Sequence, residues 1–587
     1  KMIDFRNTNT LWASILAETL QRLGLTTAVI SPGSRSAPLT IAFAQNNKIE
    51  TIPLLDERSA SFFALGIAKK SGLPTALICT SGTAAANFYP AIIEARESRI
   101  PLLIFTADRP PELRDCHAGQ AIDQVKIYGN YPNWQAELAM PATEIGMLGY
   151  LRQTIIYAWE RSQFPTPGPV HINIPFRDPL VPVPDIAVEA LETHFDIEDF
   201  FAGVEPIVVG ETSTPPSQGG HGGTAPTRGG FGSAIGQWKK CSRGIIIAGV
   251  AQPQFPDQYC SAIGQISQLL NWPVLAEGLS PLRNYDRLNP HLISTYDLIL
   301  RNRELADKLS PEIVIQIGDL PTSKELRNWL DKTQPKRYII DPSHHNFDPL
   351  HGKTIHLRTS PENIATNLVT LSTLVPPLLK GGLGGDRASE SNEHLQLWHN
   401  TETQIRQTID QKFSSINNII EPKVSWLLSQ ILPPGTPIFI SNSMPVRDVE
   451  FFWKPNNLEI KPFFNRGANG IDGTLSTALG ISYRNQSSIL LTGDLALLHD
   501  TNGFLIKNKF VGHLTIILIN NNGGGIFEML PVAKFDPPFE EFFATPQQID
   551  FAHLCATYGV EHEIIEDWEQ LTEKLNLLPN SGIRVLE

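Results

Sequence analysis

Cysteine is scarce in this chain: five residues in 587, at positions 79, 116, 241, 260 and 555, with no C-x-x-C pair among them. An odd, scattered set excludes a disulfide framework and a thiolate zinc site, and it points to a reducing compartment, the cytoplasm. Long apolar runs are also missing. No stretch reaches the roughly 18 residues read as a membrane-spanning helix, so no stable membrane anchor is expected. The opening KMIDFRNTNT lacks an apolar h-region, so no secretory signal is expected either. Positive charge is in deficit, with Lys+Arg 47 against Asp+Glu 60 and a net charge of −13. That balance disfavours nucleic acid as a partner. It also means that any anionic substrate must be held by local arginines working against the average field. Finally, no strand-like run is followed by G-x-G-x-x-G, which disfavours a dinucleotide fold of the NAD type.

What is present is globular: 41% hydrophobic and 18% charged residues, in a length that suits three or four domains. Two stretches break this texture. GETSTPPSQGGHGGTAPTRGGFGS (210–233) and VPPLLKGGLGGDRASESN (375–392) are read as loop or linker insertions, too poor in apolar surface to fold alone. Elsewhere, short apolar strands alternate with helix-length segments. They are TTAVIS (26–31), TALICTS (75–81), PLLIFTA (101–107) and PVHINIPF (169–176), then GIIIAGV (244–250), EIVIQIGD (312–319) and RYIID (337–341). The last third has TPIFISN (436–442), SSILLTGD (487–494), LTIILINN (514–521) and HEIIED (562–567). Near-continuous apolar strands of this kind imply parallel sheets covered on both faces. The expected fold class is α/β, with three doubly wound parallel-sheet domains. In such folds ligands sit beyond the carboxyl ends of the strands.

One strand end is unusual. LINNNGGG (518–525) follows a β-branched run with three amides and three glycines, more than a turn requires. The preceding strand ends at Gly493-Asp494. Neighbouring parallel strands would set Asp494 and Asn521 side by side at one sheet edge. A carboxylate, an amide oxygen and a backbone carbonyl there make a hard-oxygen site suited to Mg²⁺. The glycines at 493 and 523–525 would let backbone approach a diphosphate. The plainer alternative is an aspartate capping the next helix beside an asparagine turn.

Cationic side chains recur at other strand ends: SPGSRSAPLT (31–40), TADRPPELRDCHAGQAIDQ (106–124), GDLPTSKELRNWL (318–330), SNSMPVRDVEFF (441–452) and FFNRGANGIDGTLSTALG (463–480). Any one could be a surface ion pair. Five such loops in an acidic chain point instead to a polycarboxylate substrate, since arginine's planar fork binds carboxylates in a bidentate manner.

The Gly-Asp and Asn-Asn pair resembles the diphosphate–Mg²⁺ signature of thiamine diphosphate enzymes, although Leu495 follows the aspartate where many members have glycine. That family needs a glutamate in another domain. DERSASFFALG offers Glu57 beside an apolar segment, where burial would raise a carboxyl pKa. TSGTAAANF (80–88) matches the pyrimidine-binding domain. With SPGSRSAPL, TADRPPELRD, GQAIDQ, SNSMPVRD and the GANGIDG loop, the chain resembles the 2-succinyl-5-enolpyruvyl-6-hydroxy-3-cyclohexene-1-carboxylate synthases, the MenD family. His117 and Gly119 vary the loop before Gln120.

The resemblance implies the decarboxylase/carboligase arrangement: a pyrimidine-binding domain over 1–184, a central α/β domain over 185–395 carrying both insertions, and a diphosphate-binding domain over 396–587. It implies thiamine diphosphate and Mg²⁺ (or Mn²⁺), the metal held by Asp494, Asn521 and the Gly523 carbonyl. Ser81, Gly82, Ile471, Gly493, Leu495, Gly524 and Ile526 would line the cofactor, with Glu57 on its pyrimidine ring. Ser443 and Arg447 would take the 2-oxoglutarate end; Ser34, Arg35, Arg109, Gln120, Lys324 and Arg466 would surround the intermediate and the carboxylates of isochorismate. The reaction implied is decarboxylation of 2-oxoglutarate and 1,4-addition of the succinyl carbanion equivalent to isochorismate, in menaquinone or phylloquinone biosynthesis. A homodimer or homotetramer with sites at the subunit interface is implied as well. An acetolactate-synthase-like carboligase would predict pyruvate and an apolar acceptor pocket, which the arginine loops oppose.

Overall fold

The computed structural model describes residues 3–206, 228–373, 385–535 and 538–587. Its strands form three six-stranded sheets. The first contains β1 (Thr27–Ile30), β2 (Glu50–Pro53), β3 (Thr75–Cys79), β4 (Leu102–Asp108), β5 (Trp134–Glu137) and β6 (Pro169–Pro175), in the order β2-β1-β3-β4-β6-β5. The second contains β7 (Gly244–Ala248), β8 (Val274–Ala276), β9 (Leu292–Ile293), β10 (Ile313–Ile317), β11 (Lys336–Ile340) and β12 (Lys353–Leu357), in the order β12-β11-β10-β7-β8-β9. The third contains β13 (Pro437–Ile440), β14 (Lys461–Phe463), β15 (Ser488–Gly493), β16 (His513–Ile519), β17 (Glu561–Glu563) and β18 (Gly582–Leu586), in the order β14-β13-β15-β16-β18-β17. The first and third sheets therefore repeat one winding, while the second reverses direction at a different place.

The apolar runs become the inner strands. β3, β4, β6 and β7 are buried along their whole length, as strands covered on both faces must be. Other strands were not foreseen: β2, β5, β8, β9, β12, β14 and β18. The strand expected over 562–567 lies instead at Glu561–Glu563, at the outer edge of its sheet. Helix Arg228–Trp238 begins inside the first insertion and helix Gly385–Ser415 inside the second; the remainder of both insertions lies outside the described residues.

Packing divides the chain into two compact units: Lys1–Pro216 with Asn465–Glu563 and Pro579–Leu586, and Ser217–Phe464 with Ile564–Leu578. Within the first, helix Glu57–Ser71 is well specified at both ends. Asp56 caps it by accepting from Arg58 N and Ser59 N, and Gly72 ends it at φ +70°. The helix crosses Thr474–Ser482 at two glycines, Gly66 and Gly480. Gly473, at φ +66°, stands against the Phe62 ring, where any side chain would collide.

Candidate active site

The strand order of the first sheet reverses between β1 and β3, and open α/β sheets bind ligands at such a reversal. The loops leaving these two strands touch there. A Cβ on Gly33 would stand 2.2 Å from the Thr80 Cβ, so only glycine lets them meet. Three buried polar atoms at this point have no hydrogen-bond partner: Ser31 Oγ, Thr80 Oγ1 and Arg35 Nε. Buried polar atoms are normally satisfied, so these three mark the meeting of the two loops as a candidate site for a polar ligand. Arg35 itself is buried, its Nη1 donating to the Phe176 carbonyl at 2.9 Å with Asp178 at 3.6 Å. Ser34, one residue earlier, is exposed.

The loop after β4 closes on the same place. Arg109 Nη1 donates to Ser81 Oγ at 2.5 Å, and Gln120 Nε2 donates to the Ser81 carbonyl at 2.9 Å. Gly82, at φ +87°, leaves only 2.9 Å between its would-be Cβ and Gln120 Cγ. Asp115, His117 and Gln120 all adopt positive φ, a conformation sterically disfavoured for L-residues. Burial and the nearby Arg35 charge lower the Arg109 pKa against the pull of Asp108 and Asp178, so Arg35 and Arg109 are close enough to feel each other's charge. An anion between them would relieve that repulsion.

A buried polar network fixes these loops from below. Asp108 Oδ1 accepts from Arg109 N at 2.7 Å, and Oδ2 from Asn173 Nδ2 at 2.8 Å and Arg114 Nη2 at 3.0 Å. Asn173 Oδ1 accepts from Thr106 Oγ1 at 2.8 Å and Gln124 Nε2 at 3.0 Å. Gln124 Oε1 accepts from Gly82 N at 2.8 Å. Burial raises the Asp108 pKa and pushes His171, bonded to Thr106, down to about 3, a neutral ring at ordinary pH. The sequence reading missed Asp108, Asn173 and Gln124. The only signal was polar residues within apolar strands, as in HINIP.

At the third sheet, register pairs Gly493 with Ile519, so Asp494 and Asn520–Asn521 leave adjacent parallel strands together, as expected. Asp494 is buried at 4% exposure and opens helix Asp494–Leu498; Asn521 is exposed. A Cβ on Gly493 would meet open space. A carboxylate and an amide at adjacent strand ends, with backbone carbonyls beside them, are a donor set of the kind that suits Mg²⁺ with a diphosphate. Among the described residues no group of three His, Cys, Asp or Glu side chains forms a metal site. The amides divide their work: Asn520 Oδ1 accepts from Asn522 N at 3.1 Å and Asn522 takes φ +55°, which is turn chemistry. The glycines differ from expectation. A Cβ on Gly523 would stand 2.5 Å from the Ala544 carbonyl and one on Gly524 2.7 Å from that of Phe543. These two close the loop against residues 543–546. Leu495 and Ile526 are half-buried beside it.

Glu57 is half-buried as the first residue of its helix, close enough that its charge, with burial, raises the Cys79 pKa. The same helix start meets the segment after Asp494–Leu498: Arg58 Nη2 donates to the His499 carbonyl at 2.5 Å and Asn502 Nδ2 to Asp56 Oδ2 at 2.7 Å. Ile471 and Arg466 lie in the half-buried loop before helix Thr474–Ser482.

In the second unit, Ser443 and Arg447 come together, with Arg447 Nη1 donating to the Ser443 carbonyl at 2.7 Å. Ser443 adopts φ 72°, ψ −128°, a region L-residues rarely occupy and a mark of functional sites. Their helix Met444–Phe452 is anchored by fully buried Arg283, which donates to the Glu450 carbonyl at 2.8 Å and the Ser294 carbonyl at 3.0 Å. Burial pushes the Glu450 carboxyl up to about 7, where Gly278 N and Tyr296 Oη donate to it. Lys324 is exposed and opens helix Lys324–Thr333. A cation at a helix N-terminus opposes the dipole, so helix stability does not account for it.

The comparisons with known proteins agree with this geometry. Residues 12–127 match the N-terminal TPP binding domain of thiamine pyrophosphate enzymes, 233–440 the middle domain and 457–586 the C-terminal TPP binding domain. Fold and family matches thus define a thiamine diphosphate enzyme of the transferase and carboligase kind. The chain is 63% identical to a 2-succinyl-5-enolpyruvyl-6-hydroxy-3-cyclohexene-1-carboxylate synthase of Trichormus variabilis, covering 100% of this chain and 95% of that protein. Synthases of the same name from Trichodesmium erythraeum and Gloeothece citriformis are 63% and 62% identical, each over 100% of this chain and 96% of theirs. The chain belongs to this synthase family.

Proposed function

We propose that the enzyme decarboxylates 2-oxoglutarate and joins the remaining four-carbon unit to isochorismate by 1,4-addition, within menaquinone or phylloquinone biosynthesis. The observation that carries this reading is the proximity of Arg35 and Arg109, on loops that meet at the sheet's reversal point beside orphaned polar atoms, a pairing suited to carboxylate. The printed name of the relatives, a succinyl-bearing cyclohexene carboxylate synthase, supports it.

Thiamine diphosphate, when bound, supplies the electron sink that makes loss of CO₂ feasible. Asp494, Asn521 and the Gly523 carbonyl would hold Mg²⁺ or Mn²⁺, with Gly493, Leu495, Gly524 and Ile526 along the diphosphate. Ser81, Gly82 and Ile471 would contact the rest of the cofactor. Glu57 would hold a proton at a pyrimidine nitrogen. Ser443 and Arg447 bind the far carboxylate of 2-oxoglutarate. Ser34, Arg35, Arg109, Gln120, Lys324 and Arg466 orient the acceptor and exclude water from it. The enzyme works as a homodimer or homotetramer with its sites at the subunit interface, in the cytoplasm. The five free cysteines are consistent with that compartment. Among the described residues, no helix is long and apolar enough to cross a membrane.

The test supplies thiamine diphosphate and Mg²⁺ and follows CO₂ release from 2-oxoglutarate with and without isochorismate. Release coupled to isochorismate consumption is expected. Turnover of pyruvate in its place, with isochorismate ignored, would overturn the reading.

A further inference from the structure

Glu94 is a buried carboxylate, 3% exposed, in helix Tyr89–Glu97, and no role above uses it. Its Oε1 accepts from Gly467 N at 3.1 Å and Ser98 Oγ at 2.5 Å; its Oε2 accepts from Ala468 N at 2.7 Å. Those two amides directly follow Arg466. Lys69 Nζ lies 3.8 Å from Oε1, its side chain fully buried. Desolvation lowers the Lys69 pKa against the pull of the Glu94 charge. Lys69 belongs to the helix that Glu57 opens. The contact has no slack: a Cβ on Gly467 would stand 2.8 Å from both Glu97 Cβ and Ser98 Oγ. Burying an ion pair costs desolvation that its own attraction scarcely returns, and apolar residues of similar size often serve stability equally well. What apolar residues cannot do is receive two successive loop amides.

We propose that Glu94 is a positioning residue: by accepting the Gly467 and Ala468 amides, it sets the loop that presents Arg466 to the acceptor's carboxylate. This rests on the role given to Arg466 under the proposed function. In Glu94→Gln one carboxylate oxygen becomes an amide NH2, a donor facing a backbone N–H, so one of the two bonds is lost. Glu94→Ala loses both.

Two measurements on the full-length enzyme test it. Amide hydrogen exchange over 465–473 reads the loop without substrate: Glu94→Gln should speed exchange at Gly467 and Ala468 about tenfold or more, the scale of one lost charge-assisted bond. Kinetics should show the KM for isochorismate raised about tenfold, with the KM for 2-oxoglutarate and the affinity for thiamine diphosphate within about twofold. Combined with Arg466→Ala, the Glu94→Gln effect on that KM should vanish, because it acts through Arg466. Should Glu94→Gln fold poorly, Lys69→Met/Glu94→Gln removes both buried charges and is read identically. Unchanged exchange, or effects that multiply with Arg466→Ala, would overturn the proposal. If the wild-type enzyme ignores isochorismate while exchange responds to Glu94→Gln, the substrate reading fails and the loop clamp stands.

Discussion

Gly66 and Gly480 lie against each other where helices Glu57–Ser71 and Thr474–Ser482 cross. A Cβ on Gly66 would stand 2.1 Å from the Thr477 carbonyl, and one on Gly480 2.1 Å from that of Phe63. Backbone cannot step aside as a side chain can, so Gly66→Ala and Gly480→Ala should each destabilise by about 1–3 kcal/mol, the usual cost of overpacking. Gly149, in helix Ile145–Gln163, has nothing within 4 Å of its would-be Cβ. Gly149→Ala should instead stabilise by about 0.5–1 kcal/mol. Thermal melts of the three variants, ranked against wild type, check both signs.

Asp500 gives a pH prediction. Its carboxylate accepts from Ser476 N at 2.6 Å, Ser476 Oγ at 2.9 Å and Ser59 Oγ at 3.3 Å, with the Arg58 charge nearby. Burial outweighs these and pushes its pKa up to about 6 from 3.8. The folded protein thus holds the proton more tightly than the unfolded chain, and stability must fall as pH rises through that interval. Asp500→Asn keeps the shape and removes the titration. The stability difference between variant and wild type should grow in the variant's favour from about pH 4 to about pH 6 and be level above it. A difference independent of pH in urea melts would refute the assignment.

Asn173 uses both ends of its amide, donating to Asp108 and accepting from Thr106 and Gln124. Asn173→Ala strands three buried partners and should cost about 2–4 kcal/mol. Activity should also fall in the protein that remains folded, since Asp108 holds the backbone of Arg109. Specific activity per folded molecule, compared with denaturation midpoint, separates the two effects.

For the metal edge, Asp494→Ala should weaken Mg²⁺-dependent thiamine diphosphate binding by roughly tenfold or more, as expected when a charged ligand is lost. Titration calorimetry showing unchanged affinity would move the metal elsewhere. Glu57→Gln should bind the cofactor normally and lose most decarboxylation.

Arg447→Ala should raise the KM for 2-oxoglutarate about tenfold, the scale of a charge-assisted carboxylate contact. It should also narrow the preference over pyruvate, which lacks the distal carboxylate. Competition between the two oxoacids measures this directly.

The sequence was legible where burial on two faces forces a continuous apolar run: β3, β4, β7, β10, β15 and β16 all coincide with such runs. It was opaque at the margins. β2 reads ETIP and β5 reads WQAE because edge positions and short pairings place no apolar demand on them. The repeated winding of the first and third sheets left no visible repeat, since strand order depends on connections and not on composition. Of the candidate site, the loops that share a sheet edge could be named from their strands, as with Asp494 and Asn521. The residues that hold those loops, Asn173, Gln124 and Glu94, could not. Their partners lie far off in sequence, side chains for Asn173 and loop amides for Gln124 and Glu94, and a polar residue carries no mark of what it will meet.

Ser443 stands in a backbone conformation that costs a serine energy. Glycine would occupy φ 72°, ψ −128° without steric penalty, so Ser443→Gly is a cheap route to a sturdier protein. Serine holds its hydroxyl here on a backbone that it disfavours. On the role proposed for Ser443 at the 2-oxoglutarate carboxylate, robustness gained at position 443 would be taken from turnover.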